Sequence, residues 1–176
     1  MNYQLDQYHQ PLSGDITLSS SKSESNRALI MNALSGNQLQ LKRLSDARDT
    51  QTMQRLLSKK QPVWDVIDAG TTMRFCTAYL AISGSGEIIT GSDRMKERPI
   101  KPLVDALRRL GAKIDYLAQE GFPPLRISAQ KNKPQADKIS IPGNISSQYI
   151  SALLMIGPTL ADGISIELTG EIFSRP

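Results

Sequence analysis

Three times along the chain a polar stretch of Ser, Thr, Gly or Gln leads straight into an apolar helix-forming run, at residues 20–34, 68–80 and 146–155. Each follows a short β-prone segment: Ile16-Thr17-Leu18, residues 63–67 and Ile139-Ser140-Ile141. A strand that passes through a small-residue loop into a helix must lay the helix back over a sheet, because the apolar face of each needs a cover. The spacing is irregular, which excludes a solenoid of fixed period. The pattern predicts one α/β domain built from related units, with the helix N-termini gathered on one side. At 176 residues the chain suffices for one domain with a core and is too short for two large ones.

The remaining segments fill out this plan. The first helix spans 23–34 and stops near Gly36, and Leu39-Gln40-Leu41 alternates as a strand does. Asp49 or Thr50 caps a second helix, with Met53, Leu56 and Leu57 on one face. The strand at 63–67 runs into the loop 68–72. A third helix carries Met73, Phe75, Cys76, Ala78, Tyr79 and Leu80 and ends at Gly84 and Gly86. Residues 87–90 form a strand, and a charged loop follows at 92–99. Pro99, with no N–H to lose, starts a helix that faces the core with Leu103, Val104, Leu107 and Leu110 and closes at Gly111. Residues 114–117 and 125–128 form paired strands around a turn holding Gly121, Pro123 and Pro124. A polar loop at 131–138, a helix at 149–155 ended by Pro158 and a strand at 164–168 complete the plan.

Composition narrows the chemistry. Lys plus Arg number 21 against 17 Asp plus Glu, and this excess of four is scattered, so small acidic substrates fit better than a polyanion. Aromatic residues make up 5% of the chain, too few for stacking platforms that bind single-stranded nucleic acid. One cysteine, Cys76, excludes an internal disulfide and a cysteine-based zinc site, and in an apolar helix it reads as an inert buried thiol. One histidine, His9, leaves no histidine cluster for a metal. No cofactor is called for, and no apolar run reaches membrane-spanning length. The first residues lack the basic and apolar regions of a secretion signal, so the default compartment is the cytoplasm.

Four clusters at helix starts have the makings of anion sites. Lys22, Ser23 and Arg27 surround the first, where unpaired N–H groups and the helix dipole already favour an anion. From this segment alone, a capped surface helix fits as well. Gly70, Thr71 and Thr72 with Arg74 form the second, where the glycine serves either a ligand's close approach or only a turn. Arg94, Lys96 and Arg98 place three cations before Pro99, suited to clamping a carboxylate or phosphate. Ser146, Ser147 and Gln148 offer neutral donors at the last. Each is weak alone, and four such groups, all at helix entries, are much harder to assign to chance.

Ser21 to Leu29, Ala69 to Arg74, Gly91 to Pro99, Ser146 to Tyr149 and the closing Ser174-Arg175-Pro176, in this order and spacing, resemble the 5-enolpyruvylshikimate-3-phosphate synthase family. The resemblance covers nearly the whole chain and matches the N-terminal portion of that family. It implies the first domain of the enolpyruvate transferase fold, made of βαβαββ-type units and truncated. Residues 1–13 resemble a segment that the family packs into its second domain; residues 14–176 form an incomplete substrate-binding domain, and the second domain is absent. The implied reaction moves the enolpyruvyl group of phosphoenolpyruvate onto the 5-hydroxyl of shikimate 3-phosphate, releasing phosphate. By the same resemblance, Lys22, Ser23, Arg27, Ser146, Ser147, Gln148 and Ser174 bind shikimate 3-phosphate. Lys22, Gly70, Arg94 and Gln148 bind phosphoenolpyruvate. The full-length family member is expected to act as a monomer without nucleic-acid or membrane partners.

Two departures matter. Asp68 stands where many relatives carry asparagine, and its carboxylate repels phosphoenolpyruvate unless it is paired or turned away. The chain also stops short of the domain on which the family carries its acid–base carboxylates. Glu24 and Glu97 read as charge balance, so no catalytic residue is assigned, and the chain alone is expected to bind without turning over. The alternative is a non-catalytic module for phosphorylated shikimate or another anion. The related transferase acting on UDP-N-acetylglucosamine carries a cysteine-bearing loop that is not found here.

Overall fold

The computed structural model describes residues 3, 4, 7, 11, 13–83, 86–128 and 138–172. In chain order its helices and strands are α1 (Lys22–Leu34), α2 (Arg48–Leu57), β1 (Val63–Asp65), α3 (Gly70–Ser83), β2 (Ile88–Thr90) and α4 (Asp93–Lys96). They continue with α5 (Lys101–Arg109), β3 (Ile114–Tyr116), β4 (Leu125–Ile127), β5 (Lys138–Pro142), α6 (Ser147–Ile156) and β6 (Ser165–Thr169), with a 3-10 turn at Gly157–Thr159 after α6.

Helix α3 is nearly devoid of charge and lies at the centre, buried from Thr72 through Ala78 and again at Leu80 and Ala81. A helix apolar on all sides needs neighbours on all sides. Here α1, α2, α5 and α6 and the sheet supply them. The strongly amphipathic α5 buries Leu103, Val104, Ala106 and Leu107 and leaves its charges outside.

One βαβαββ unit is complete. Its four strands lie in the order β1-β2-β4-β3, with β1 parallel to β2 and the other pairs antiparallel. The pairing of β3 with β4 matches the sequence expectation. Parallel strands β5 and β6, joined through α6, form a separate two-stranded sheet. Helices α1, α3 and α6, the three repeated helices of the sequence, pack against one another.

Several boundaries differ from expectation, each for a local reason. Residues 16–18 are not a strand: Ile16 and Leu18 are 84% and 85% exposed, and no neighbouring strand among the described residues pairs with them. Residues 39–41 are not a strand either, because the Leu39 N–H goes to the Asn32 side chain at 2.8 Å rather than to a ladder. The first strand of the sheet ends at Asp65, since Ile67 takes a positive φ of 56° that no strand holds. Helix α2 starts at Arg48 without a side-chain cap, so neither Asp49 nor Thr50 caps it. Helix α5 begins two residues after Pro99, with Pro102 in its first turn. The loop at 92–99 contains the helical turn α4, capped by Ser92. Gly84 and residues 131–137 of the expected loop 131–138 lie outside the described residues, and Lys138 opens β5 instead, paired with Ser165. No helix is long and apolar enough to cross a membrane among the described residues.

Candidate functional site

The N-terminal turns of α1, α2, α3 and α6 meet at one end of the molecule, tied by side chains reaching from each to the next. Lys22 on α1 pairs with Asp49 on α2, Nζ to Oδ2 at 3.6 Å, and is half exposed. The Asp49 carbonyl accepts from the Thr72 hydroxyl of α3 at 3.1 Å. Gln148 on α6 donates through Nε2 to Thr71 Oγ1 on α3 at 3.2 Å. Arg27 on α1 donates through Nη2 to Ser151 Oγ on α6 at 3.1 Å. Its Nη1 donates to the Ser23 carbonyl at 3.1 Å and to the Ser23 hydroxyl. Its guanidinium lies 5.7 Å from the centre of the Phe75 ring.

This junction brings together Lys22, Ser23, Arg27, Gly70 and Gln148. The first turns of α3 and α6 hold no acidic residue, so no carboxylate of their own offsets the positive character of these helix ends. Ser146 caps α6 by accepting from the Gln148 N–H at 3.4 Å, and Ser146 and Ser147 are both exposed at the helix start. Ser174 lies outside the described residues.

The base of the site is a buried polar layer that fixes α1 to α2. Ser25 accepts the Ser45 N–H at 2.9 Å, and the Thr50 hydroxyl donates to Asn26 Oδ1 at 2.8 Å. Asn26 is fully buried and its amide nitrogen has no partner, an uncommon cost inside a protein. Ser25, Asn26 and Thr50 lie within one or two positions of Arg27 or Asp49 along the chain, and Ser45 lies four before Asp49. The layer sets where those charges stand.

Within the cation cluster, Arg98 is the member that reaches Gly70. A Cβ placed on Gly70 would lie 2.5 Å from Arg98 Nη1, 2.9 Å from Arg98 Cζ and 2.9 Å from Arg74 Nη1. Glycine is therefore required here for close approach by two guanidinium groups. Arg74 is buried; its Nη1 donates to the Gly70 carbonyl at 2.9 Å, and its Nε has no partner. Arg94 is exposed on α4 and acts on Arg98 through its charge. Partial burial, followed by the charges of Arg74 and Arg94, draws the Arg98 guanidinium below its usual pKa, though an arginine stays protonated at neutral pH. Among the described residues no carboxylate is bonded to these three like charges, although the Asp49 charge also acts on Arg98, and an anion would stabilise such a place.

Asp68 is paired. The Ser92 hydroxyl donates to its Oδ1, and Ser92 also caps α4, so the carboxylate is engaged with the loop that carries the arginines. One residue earlier the backbone is tight. Ile67 is a β-branched residue at positive φ, held by Asp65 Oδ1, which accepts its N–H at 2.8 Å, and by its carbonyl, which accepts from Ser92 N at 3.0 Å. Such strain costs on the order of 1–3 kcal/mol and persists only where surroundings impose it. A cavity of about 450 Å³ opens beside Asp49 and Asp68, with Arg48, Thr52 and Arg55 on its wall.

The model of the family described as EPSP synthase (3-phosphoshikimate 1-carboxyvinyltransferase) matches residues 7–61 and 54–176. The chain belongs to the EPSP synthase family. A 3-phosphoshikimate 1-carboxyvinyltransferase of Bacteroides fragilis is 54% identical over 161 residues, which cover 92% of this chain and 39% of that protein. The enzyme of the same name from Vibrio cholerae is 39% identical over 191 residues, covering 94% of this chain and 44% of the relative. The chain thus spans about two fifths of these relatives. A solved EPSP synthase from Acinetobacter baumannii superposes with a TM-score of 0.76 at 17% identity, over 92% of this chain and 41% of that one, which establishes the shared fold.

Tertiary contacts give further residues a part: Asp49, expected as a helix cap, pairs with Lys22, Ser151 accepts from Arg27, and the Tyr149 hydroxyl donates to the Pro99 carbonyl. Arg74 and Arg98 lay inside the quoted motifs, but nothing in their spacing said which guanidinium meets Gly70. Cys76 is buried in α3, and burial alone raises its thiol far above the usual range, consistent with an inert role.

Proposed function

We propose that these 176 residues supply the substrate-binding face of a transferase that moves the enolpyruvyl group of phosphoenolpyruvate onto the 5-hydroxyl of shikimate 3-phosphate, releasing phosphate in aromatic amino acid biosynthesis. The observation that carries the reading is the junction of four helix N-termini, where Lys22, Arg27 and Gln148 meet within one hydrogen-bonded cluster beside the arginines at Gly70. Two multiply charged ligands side by side repel each other, and fixed N–H groups and cations offset that repulsion.

On this reading Ser23, Arg27, Ser146, Ser147, Gln148 and Ser174 hold shikimate 3-phosphate. Gly70, Arg94 and Gln148 hold phosphoenolpyruvate, and Lys22 meets both. Arg27 trades its contacts with Ser23 for the ligand and keeps its bond to Ser151. The reaction adds the 5-hydroxyl across the enol double bond and then expels phosphate, which takes a base for the hydroxyl proton and an acid for the methylene carbon. Glu24 and Glu97 are exposed and serve charge balance, so these residues bind and the acid–base groups belong to a second domain. Residues 14–176 would then be the first part of the substrate-binding domain and residues 1–13 would pack with the second. The enzyme is taken to be cytoplasmic and monomeric at full length, without cofactor, metal, nucleic-acid or membrane partner.

Calorimetric titration of the 176-residue chain with shikimate 3-phosphate tests the reading. Weak saturable binding is expected, with no phosphate released when phosphoenolpyruvate is added. Absence of binding refutes the assignment of the face. Turnover near that of a full-length relative, from rigorously pure chain, refutes the division between binding and catalysis.

A further inference from the structure

The C-terminal half of the arginine loop carries its charges into solvent. The loop's only regular structure, α4, is one turn long, and Arg94, Lys96, Glu97, Arg98 and Pro99 are all exposed. Arg98 nevertheless stands against Gly70 beside two other guanidinium groups whose charges push it outward. Something must hold the loop in against that repulsion.

Buried Met95 and Ile100 and the Ser92 contacts with Asp68 and Ile67 hold the loop at its two ends, and beside Arg98 two side chains converge on one backbone atom. The Pro99 carbonyl accepts the Tyr149 hydroxyl at 2.6 Å and Arg74 Nη2 at 3.4 Å. Tyr149 belongs to the first turn of α6, next to Gln148, and is 5% exposed. The Arg74 guanidinium lies 5.7 Å from the centre of its ring, a cation–π distance. Tyr149 thus touches both ends of the problem: its ring steadies the buried Arg74, and its hydroxyl fastens the residue that follows Arg98. The 2.6 Å bond is the shorter of the two.

We propose that Tyr149 is a positioning residue for the anion seat at Gly70: its hydroxyl, through the Pro99 carbonyl, keeps Arg98 facing Gly70 when no anion is there to do so. The inference deepens the proposed function, on which the identity of the anion as a phosphoenol substrate rests. It predicts a split within the site. Ligand contacts made by α1 do not pass through Pro99, so they do not depend on the hydroxyl.

The test uses Tyr149→Phe, which keeps the ring over Arg74 and removes only the hydroxyl, with inorganic phosphate as the probe. Phosphate is titrated into the 15N-labelled chain and binding is read separately at the backbone amides of Gly70 and Arg98 and at those of Lys22 and Ser23. The expected result is phosphate affinity at Gly70 and Arg98 lowered about fivefold, the equivalent of one net hydrogen bond. Affinity at Lys22 and Ser23 is unchanged. Trypsin cleavage after Arg94 and Lys96 in the unliganded variant speeds up, while cleavage after Arg126 does not. Equal loss at both sets of amides assigns Tyr149 a merely structural role and overturns the proposal. Unchanged affinity at Gly70 and Arg98, or a parent chain in which phosphate does not perturb them, also overturns it. Failure of shikimate 3-phosphate to bind the parent would remove the proposed function while leaving this comparison, made with phosphate, intact.

Discussion

Replacing Gly70 with alanine separates the fold from the anion seat. The added Cβ falls 2.5 Å from Arg98 Nη1 and 2.9 Å from both Arg98 Cζ and Arg74 Nη1. A relaxed contact between such atoms is roughly 3.5–4.0 Å, so Arg98 must retreat by about 1 Å or more. Arg98 is an exposed side chain and moves cheaply. Arg74 is buried but needs only a small shift, and its bond to the Gly70 carbonyl survives that shift. Alanine is also the better helix residue by about 0.5–1 kcal/mol, which offsets part of the crowding. Stability to urea should therefore change by no more than about 1 kcal/mol. Ligand binding is affected in a different way. If Arg98 no longer faces the first turn of α3, one charged hydrogen bond to the anion is lost, about 1.5–3 kcal/mol. That corresponds to roughly a ten- to hundredfold loss of phosphoenolpyruvate affinity, measured calorimetrically with shikimate 3-phosphate present. Unfolding that becomes easier by several kcal/mol with affinity unchanged would refute the reasoning, because it would mean that Gly70 serves helix packing and not the approach of Arg98.

Three further outcomes are expected. Arg27→Ala should weaken shikimate 3-phosphate by about 1.5–3 kcal/mol, and equal affinity in calorimetry would remove Arg27 from the site. Thr50→Val withdraws the donor to Asn26 Oδ1 and leaves that buried amide wholly unpaired, so urea denaturation should show a loss of about 1–3 kcal/mol; a neutral result would deny the polar layer its role. Cys76 keeps its proton in the folded chain above its ordinary pKa of 9.0, whereas the unfolded chain releases it. The unfolded state then binds fewer protons, so stability falls as pH rises past 9, by up to about 1.4 kcal/mol per pH unit. Cys76→Ala should flatten that slope, and an unchanged slope would place its origin in other groups such as Tyr79 and Tyr116, whose burial also raises them.

Patterns local to a few residues were legible in the sequence. The 3.6-residue spacing of Leu103, Val104 and Leu107, the unbroken apolar run of α3 and the alternation in β3 and β4 each report burial, which is what such patterns encode. Residues 16–18 and 39–41 show the limit of that reading. Their alternation is as good as that of β5, but a strand exists only where a neighbouring strand takes its hydrogen bonds, and no strand among the described residues does so. Likewise Thr50 suits a helix cap by type, yet its hydroxyl goes to Asn26, 24 positions away.

By itself the sequence determined that three polar loops open onto apolar helices, that the chain is α/β, and that cations and hydroxyls collect where helices begin. Side-chain type and short-range periodicity suffice for that. Only the tertiary structure decided which of those groups meet. Helices α1, α3 and α6 are about 50 to 125 residues apart in sequence at their contacts, such as Arg27 with Ser151 and Gln148 with Thr71. It also decided that Arg98 rather than Arg94 approaches Gly70, and that Tyr149 closes on Pro99. Such choices are made by the packing of the helices around α3, and distance along the chain carries no record of them.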